Sequence, residues 1–471
     1  MVRIVFVCLS AWLGLAGAWA AGNDPLVLFR EPVLALTHAQ LIDGNGGAIR
    51  PDQTIIIRDG RLAAIGDAAT IAIPADASVR DLAGALVTPG FVLLHEHFFY
   101  TLKGGNYGAL FRSFPALYLA GGVTTLRTGG SMSPYADLNV RREIVAGRAI
   151  GPDIDVTAPF VNGAFPLAFG MQMSRLETAA DVERMVGYWS AEGVSSFKGY
   201  MNLTREQLAA MVRTAHAQEK KVTAHLCSVT YREAADLGID NLEHGFLVAS
   251  DFVADKVADE CPAGKAVAQA LDALQADDPR MRALQRHLIE RKVAVTSTLT
   301  VFETFAPGRP MAAQGALDLL IPELREAYVD TWGRIARDAR PPWASLLAKD
   351  MAWEKQFSDA GGLLVAGTDP TGYGGVVAGF SATRQIELLV EAGFGWSQAV
   401  RVATLNGARY LGRDAAVGSL EVGKRADLVV FAAGIKPDAT RLPDIAWSMK
   451  GGTAYDRGRI LALWRGQVGL Q

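Results

Sequence analysis

Cysteine is scarce in this chain, with three in 471 residues. Cys8 falls in an apolar leader, which leaves Cys227 and Cys261. Two thiols without a Cys-x-x-Cys spacing argue against a thiolate zinc site. In an oxidising compartment they could pair, and the sequence alone leaves that open. A surplus of either charge is also missing: 46 basic side chains face 49 acidic ones, a net charge of -3. So mixed a balance offers no footprint for nucleic acid or an anionic membrane surface, and neither is expected as a partner. The apolar N-terminal stretch Ile4 to Gly17 is too short for a comfortable membrane span. Arg3 precedes it and Ala18-Trp19-Ala20 follows it, so residues 1–20 read as a cleavable signal peptide. The expected location is therefore periplasmic or secreted.

Histidine is sparse too, at seven, but its placement is informative. His95 and His97 close the run Ala85 to Leu94, His225 follows Lys221-Val222-Thr223-Ala224, and His244 follows Asn241-Leu242-Glu243. Another run, Val194-Ser195-Ser196-Phe197, ends in Lys198, and Leu363 to Thr368 delivers Asp369. Histidine, lysine and aspartate at successive strand ends are what a hydrolytic metal centre at the mouth of a β/α barrel requires.

The organisation along the chain agrees. Short strands with turns run from Leu34 to about Gly66, including a hairpin turn at Asp59-Gly60, and a matching β-rich patch begins near Gly418. Neither patch has strands enough for its own core, so residues 32–84 and 413–471 are expected to form one composite β-sandwich domain. Residues 85–412 between them alternate short apolar strands with helical stretches, which predicts an α/β fold with a (β/α)8 TIM-type barrel. Helices are expected over 179–192, 205–220 and 397–411. Residues 301–343 exceed an ordinary loop and read equally as a lid or pocket wall, or as helical decoration.

In a strand, residues i and i+2 point the same way, so His95 and His97 share a face while Glu96 points elsewhere. A lysine at an interior strand end is costly if charged and unpaired. With a lowered pKa it can take up carbon dioxide and bridge two cations as a carbamate. Asp369 can ligate an ion, accept a proton from the attacking water and return it to a departing amine.

These residues lie in motifs that resemble the amidohydrolase superfamily, in its imidazolonepropionase- and prolidase-like branch. The motifs are Val87-Thr88-Pro89-Gly90 with His95-Glu96-His97, Gly122 to Arg127, Asn241-Leu242-Glu243-His244-Gly245, Gly367-Thr368-Asp369, Ala403 to Ala408 and Gly418 to Asp427. The resemblance implies that His95, His97 and Asp369 hold one divalent ion and His225 and His244 a second, zinc being the first choice. Carboxylated Lys198 bridges them, and Asp369 is the catalytic acid/base. It also implies a homo-oligomer. Ser196 to Met201 is similar to the corresponding strand of hydantoinase-type members. Thr128 stands where relatives often carry Asp, however, and Leu203 where hydantoinases carry tyrosine.

The expected reaction is cleavage of an amide-type C–N bond by a hydroxide bridging two ions. N-acyl amino acids or dipeptide-like molecules are the first substrates to consider. A one-metal deaminase or imidazolonepropionase-type hydrolase is the alternative, and a non-catalytic scaffold the third. Tyr100, Asn162, Tyr200 and Tyr373, near the strand ends, are the expected substrate contacts; they make an aromatic, amide-bearing lining.

Overall fold

The computed structural model describes residues 24–102, 106–163, 174–338, 342–436 and 438–470; the leader expected over 1–20 lies outside them. Among the described residues, no helix is long and apolar enough to cross a membrane.

The chain ends do combine. One sheet of nine strands runs in the order Val27–Phe29, Thr453–Asp456, Ile445–Lys450, Leu428–Phe431, Leu86–Pro89, Val33–Leu41, Arg50–Arg58, Arg61–Asp67, with Ser78–Asp81 paired to Val33–Leu41. Alternate residues Leu34, Leu36, Ile55, Ile57, Leu428 and Val430 share one buried cluster, as the two-residue period of a strand demands. The predicted hairpin turn is present: Asp59 and Gly60 both take positive φ, 50° and 74°, which matches the twist of the flanking strands.

The run from Ala85 to Leu94 is not one strand. Leu86–Pro89 pairs antiparallel with Leu428–Phe431, whereas Phe91–Glu96 pairs parallel with Val123–Thr128. The break falls at Gly90, where no side chain fits: a Cβ there would stand 2.2 Å from Thr124 Oγ1. The parallel series therefore starts at Phe91 rather than at residue 85. At the other end, helix Arg457–Trp464 leaves the terminal sheet, and Arg457 Nη1 donates to the Ala120 and Gly379 carbonyls, 2.7 Å each.

The middle of the chain is α/β with parallel strands. Phe91–Glu96, Val123–Thr128 and Asp153–Asp155 form one sheet. Val161–Asn162, Ser196–Gly199, Lys221–Ala224, Asn241–Glu243, Ala294–Ser297 and Leu364–Ala366 follow in another, with Ser174–Arg175 at its edge. Phe91–Glu96 and Val123–Thr128 are buried at every position, as parallel strands covered on both faces are. A bridge between Thr157 and Ser196 links the two sheets. At the far end, Thr368 and Asp369 N–H groups donate to the His95 carbonyl at 3.2 and 3.0 Å.

The predicted helix 179–192 is found as Ala179–Glu192, started by a capping box of Thr178 and Asp181. The helix expected over 205–220 stops at His216. The stretch 397–411 is two helices, Trp396–Val402 and Leu405–Leu411, parted where Thr404 Oγ1 donates back to the Val400 carbonyl at 2.7 Å. Cys227 and Cys261 form a disulfide with Cα atoms 4.8 Å apart, which settles the pairing that the sequence left open.

Candidate active site

All six residues expected to bind metal meet at the C-terminal ends of the parallel strands. Ring centroids of His95 lie 5.2 Å from His97 and 4.7 Å from His244, and His244 is 4.5 Å from His225. Lys198 Nζ is 3.2 Å from His95 Nε2. Asp369 Oδ1 is 3.2 Å from His97 Nε2 and 3.7 Å from His95 Nε2. The donor atoms of His95, His97 and Asp369 fall within 4.8 Å of one another.

Local backbone makes this convergence possible. His244 and Asp369 take left-handed φ values of 71° and 51°, a strain of roughly 1–3 kcal/mol each for a residue with a side chain. Glycine clears the space around His95: a Cβ on either Gly129 or Gly367 would come within 2.4 Å of its side chain. Glu96 points away from the cluster, as alternation predicts. It accepts from Thr368 N at 2.8 Å and Thr368 Oγ1 at 2.6 Å, which fixes the residue before Asp369.

Three of the imidazoles are held from outside. His95 Nδ1 is 2.7 Å from Glu243 Oε2, His244 Nδ1 is 3.0 Å from Thr298 Oγ1, and His97 Nδ1 is 3.3 Å from the Gly130 carbonyl. With Nδ1 engaged, Nε2 is the atom left for a ligand, the arrangement that orients metal-binding histidines. Glu243 also accepts from Arg127 Nη2 at 2.6 Å, and Arg127 Nε donates to the Leu94 carbonyl at 2.8 Å. Glu243 and Arg127 were not assigned roles from the sequence. One signal was available: Asn241 and Glu243 share a strand face, and a buried arginine requires a counter-charge.

The electrostatics favour cation binding. Burial pushes the His97 imidazole down to about 4 against the pull of Asp369, and burial with the Lys198 charge takes His225 to about 3. Burial and the neighbouring His225 and His95 put His244 well below its ordinary value. These rings are neutral at physiological pH, the form that coordinates. Burial works to raise Asp369, yet His95 and His97 hold its carboxyl well below the usual range. Burial pulls the Lys198 amine down to about 8 although Glu243 and Asp369 work to raise it.

The four expected substrate contacts divide. Tyr200 is half-buried beside the centre, its ring 5.0 Å from His225 and 5.5 Å from Phe160. Tyr100 is fully buried, and its hydroxyl accepts from Gly375 N at 2.9 Å, supporting the loop after Asp369. Asn162 is also buried; its Oδ1 accepts from Asn202 N at 2.8 Å, and among the described residues its Nδ2 has no hydrogen-bond partner. Tyr373 donates its hydroxyl to the Thr304 carbonyl and stacks on Tyr328 at 5.6 Å.

Behind His244 lies a pair of acids. Asp350 Oδ1 accepts from Phe246 N at 2.8 Å and Glu354 Oε2 from Ser297 Oγ at 2.6 Å, while among the described residues Asp350 Oδ2 and Glu354 Oε1 have no hydrogen-bond partner. Burial raises Asp350 to about 8, and burial with the Asp350 charge raises Glu354 well above the carboxylate range. Both folded-state values exceed the unfolded ones, so the contribution is complete below the unfolded carboxylate range and declines as pH climbs towards 8. The slope is about 1.4 kcal/mol per pH unit for each proton retained. Asp350→Asn offers an N–H to Glu354 Oε1 and removes one buried acid. Its thermal midpoint, followed by circular dichroism from pH 5 to pH 8, should gain on the wild type as pH increases; parallel curves would contradict this.

The sequence profile of the Amidohydrolase family matches residues 86–454. The enamidase of Eubacterium barkeri is 39% identical over 80 residues, covering 17% of this chain and 20% of the enamidase, so the chain spans about one fifth of that relative. Among solved structures, a candidate prolidase from Bifidobacterium longum superposes with a TM-score of 0.63 at 25% identity, over 93% of this chain and 100% of the other. A bottromycin amidohydrolase superposes with a TM-score of 0.68 at 23% identity, over 96% of this chain and 95% of its own, a likeness of fold.

Proposed function

Because this chain belongs to the amidohydrolase family, we propose that it hydrolyses an amide-type C–N bond of a small molecule at a two-metal centre. The observation that carries this reading is the convergence of four imidazoles, one carboxylate and one buried amine, with three imidazoles anchored through Nδ1. Neutral imidazole and ionised carboxylate are the donors that zinc and its neighbours in the first transition row take. His95, His97 and Asp369 would hold one ion and His225 and His244 the other, with Lys198 between them as a carbamate. Bound divalent ions would polarise the scissile carbonyl and make water nucleophilic at neutral pH.

The chain's own groups do the rest. An amine drawn down to about 8 keeps a neutral fraction able to add carbon dioxide, with the displaced proton passing to solvent. Asp369 receives the proton of the attacking water and transfers it to the leaving amine. Glu243 and Thr298 keep His95 and His244 from turning.

We read Phe91–Glu96, Val123–Thr128, Asp153–Asp155 and the five strands from Ser196–Gly199 to Leu364–Ala366 as a closed eight-stranded β/α barrel, supported by the bonds from Thr368 and Asp369 to His95, and the nine-stranded sheet as a separate β domain. Export fits the Cys227–Cys261 disulfide, since such bonds persist in oxidising compartments. A second reading has one ion alone. It is favoured by the tightness of the His95, His97 and Asp369 group, and leaves Lys198 unmodified.

The substrates to test are N-acyl amino acids and dipeptides, then cyclic amides and lactones. With zinc, manganese or cobalt loaded, cleavage of an amide in this panel is the expected result. Inactivity on all of them, with metal retained, would overturn the amide reading.

A further inference from the structure

The segment that the sequence left as either lid or decoration carries an aromatic wall. Phe302, in helix Leu299–Glu303 directly after the strand Ala294–Ser297, turns its ring edge-on to His244 with centroids 5.7 Å apart. Trp343 lies nearly parallel to Phe302 at 6.1 Å and 24°, and 5.6 Å from Phe305. Tyr373, from the loop after Asp369, meets Phe305 at 5.7 Å. The four rings thus form one strip that starts at a residue of the candidate centre.

Each of the four rings is only half-buried, so apolar surface stays open beside the cluster. The polar atom of Tyr373 is already used on the Thr304 carbonyl and one face of its ring on Tyr328, which leaves the rest of the ring as the surface it can offer. A contiguous apolar patch at the edge of a reactive centre marks a ligand-binding surface. Phe302 and Trp343 lie within 24° of parallel, and rings so aligned suit an offset-stacked ring better than a flexible aliphatic chain.

We propose that Phe302, Phe305, Trp343 and Tyr373 form a subsite for an aromatic ring carried by the amide substrate. This rests on the amide-hydrolase reading above and names the substrate class within it. The wall sits on the side of His244, away from Phe99, whose ring stacks on His97 at 4.3 Å.

Two measurements on the metal-loaded full chain test this. In the first, kcat/KM is compared for N-benzoylalanine and N-hexanoylalanine, acyl groups of similar size with and without a ring. The expected preference for the ring is roughly tenfold or more, falling towards parity in Trp343→Ala and in the milder Phe305→Leu. In the second, calorimetry in an Asp369→Asn background, where turnover is expected to be lost, reads N-benzoylglycine binding, and the Kd should rise about tenfold when either wall substitution is added. Equal use of both acyl groups by the wild type, or unchanged binding in both folded variants, would overturn the subsite. Binding that depends on the wall, with no amide in the panel cleaved, would uphold the subsite and sink the hydrolase reading instead.

Discussion

Replacing Asp369 with alanine should lower kcat by about two to four orders of magnitude, the usual contribution of a positioned acid/base. Asp369 is set by its neighbours rather than by its own rotamer freedom. Its N–H is donated to the His95 carbonyl, its Oδ1 accepts from Thr371 Oγ1 at 2.9 Å, and the same oxygen faces His97. The imidazoles around it hold it ionised, so at neutral pH it is ready to accept a proton and not to donate one first. Asp369→Asn separates ligation from proton transfer, because an amide oxygen can still reach an ion but cannot carry the proton. That variant should keep most of its metal and lose turnover on the same scale. Normal turnover with metal retained would remove the acid/base role.

The second large effect is expected at Glu243. Its carboxylate sits at the meeting point of His95, Arg127 and Thr223, with no exposed surface. Burial opposes its charge, and Arg127 with His95 overcomes that opposition and holds the group well below its ordinary range. Glu243→Gln leaves the Arg127 guanidinium buried without the carboxylate that faces it. Breaking a buried pair in this way costs roughly 3–5 kcal/mol. The same change frees His95 to take the wrong tautomer, which should weaken metal binding by about 10–100-fold. Thermal unfolding reads the first loss and competition with a chelator the second. Arg127→Met added to Glu243→Gln should recover part of the stability but not the metal affinity. A Glu243→Gln protein with wild-type stability and metal release would show that the anchor is dispensable.

The six side chains of the centre were legible because each ends a short apolar run, and strand ends on a parallel sheet face one way. His95 and His97 required only the two-residue period. Glu243 and Arg127 were not legible in the same way: their bonds join residues 148 and 116 positions apart, and no local pattern encodes which strands lie opposite. The aromatic wall has the same difficulty, since ring orientation in Phe302 and Trp343 comes from packing and not from spacing. The Pro89-Gly90 break was legible, but not that Leu86–Pro89, as fully buried as Phe91–Glu96, pairs into the other sheet. The division of 397–411 into two helices falls at Thr404, whose backbone leaves helical geometry at φ -135° and ψ -87°, which hydrophobic periodicity does not register.

Tyr100 shows how proximity in sequence can mislead about role. It follows His97 by three positions and carries a hydroxyl, yet that hydroxyl supports Gly375 from beneath. Tyr200, two positions after Lys198, does reach the centre. The difference is burial: Tyr100 has no exposed surface of consequence, whereas Tyr200 keeps some.

The central claim is that this cluster holds two ions joined by a carboxylated lysine. Native mass spectrometry of the purified protein, paired with elemental analysis, tests it most directly. The account predicts two divalent ions per chain and the added mass of one carbon dioxide, lost together when Lys198 is replaced by alanine. One ion per chain, with Lys198 unmodified in fully active protein, would contradict it.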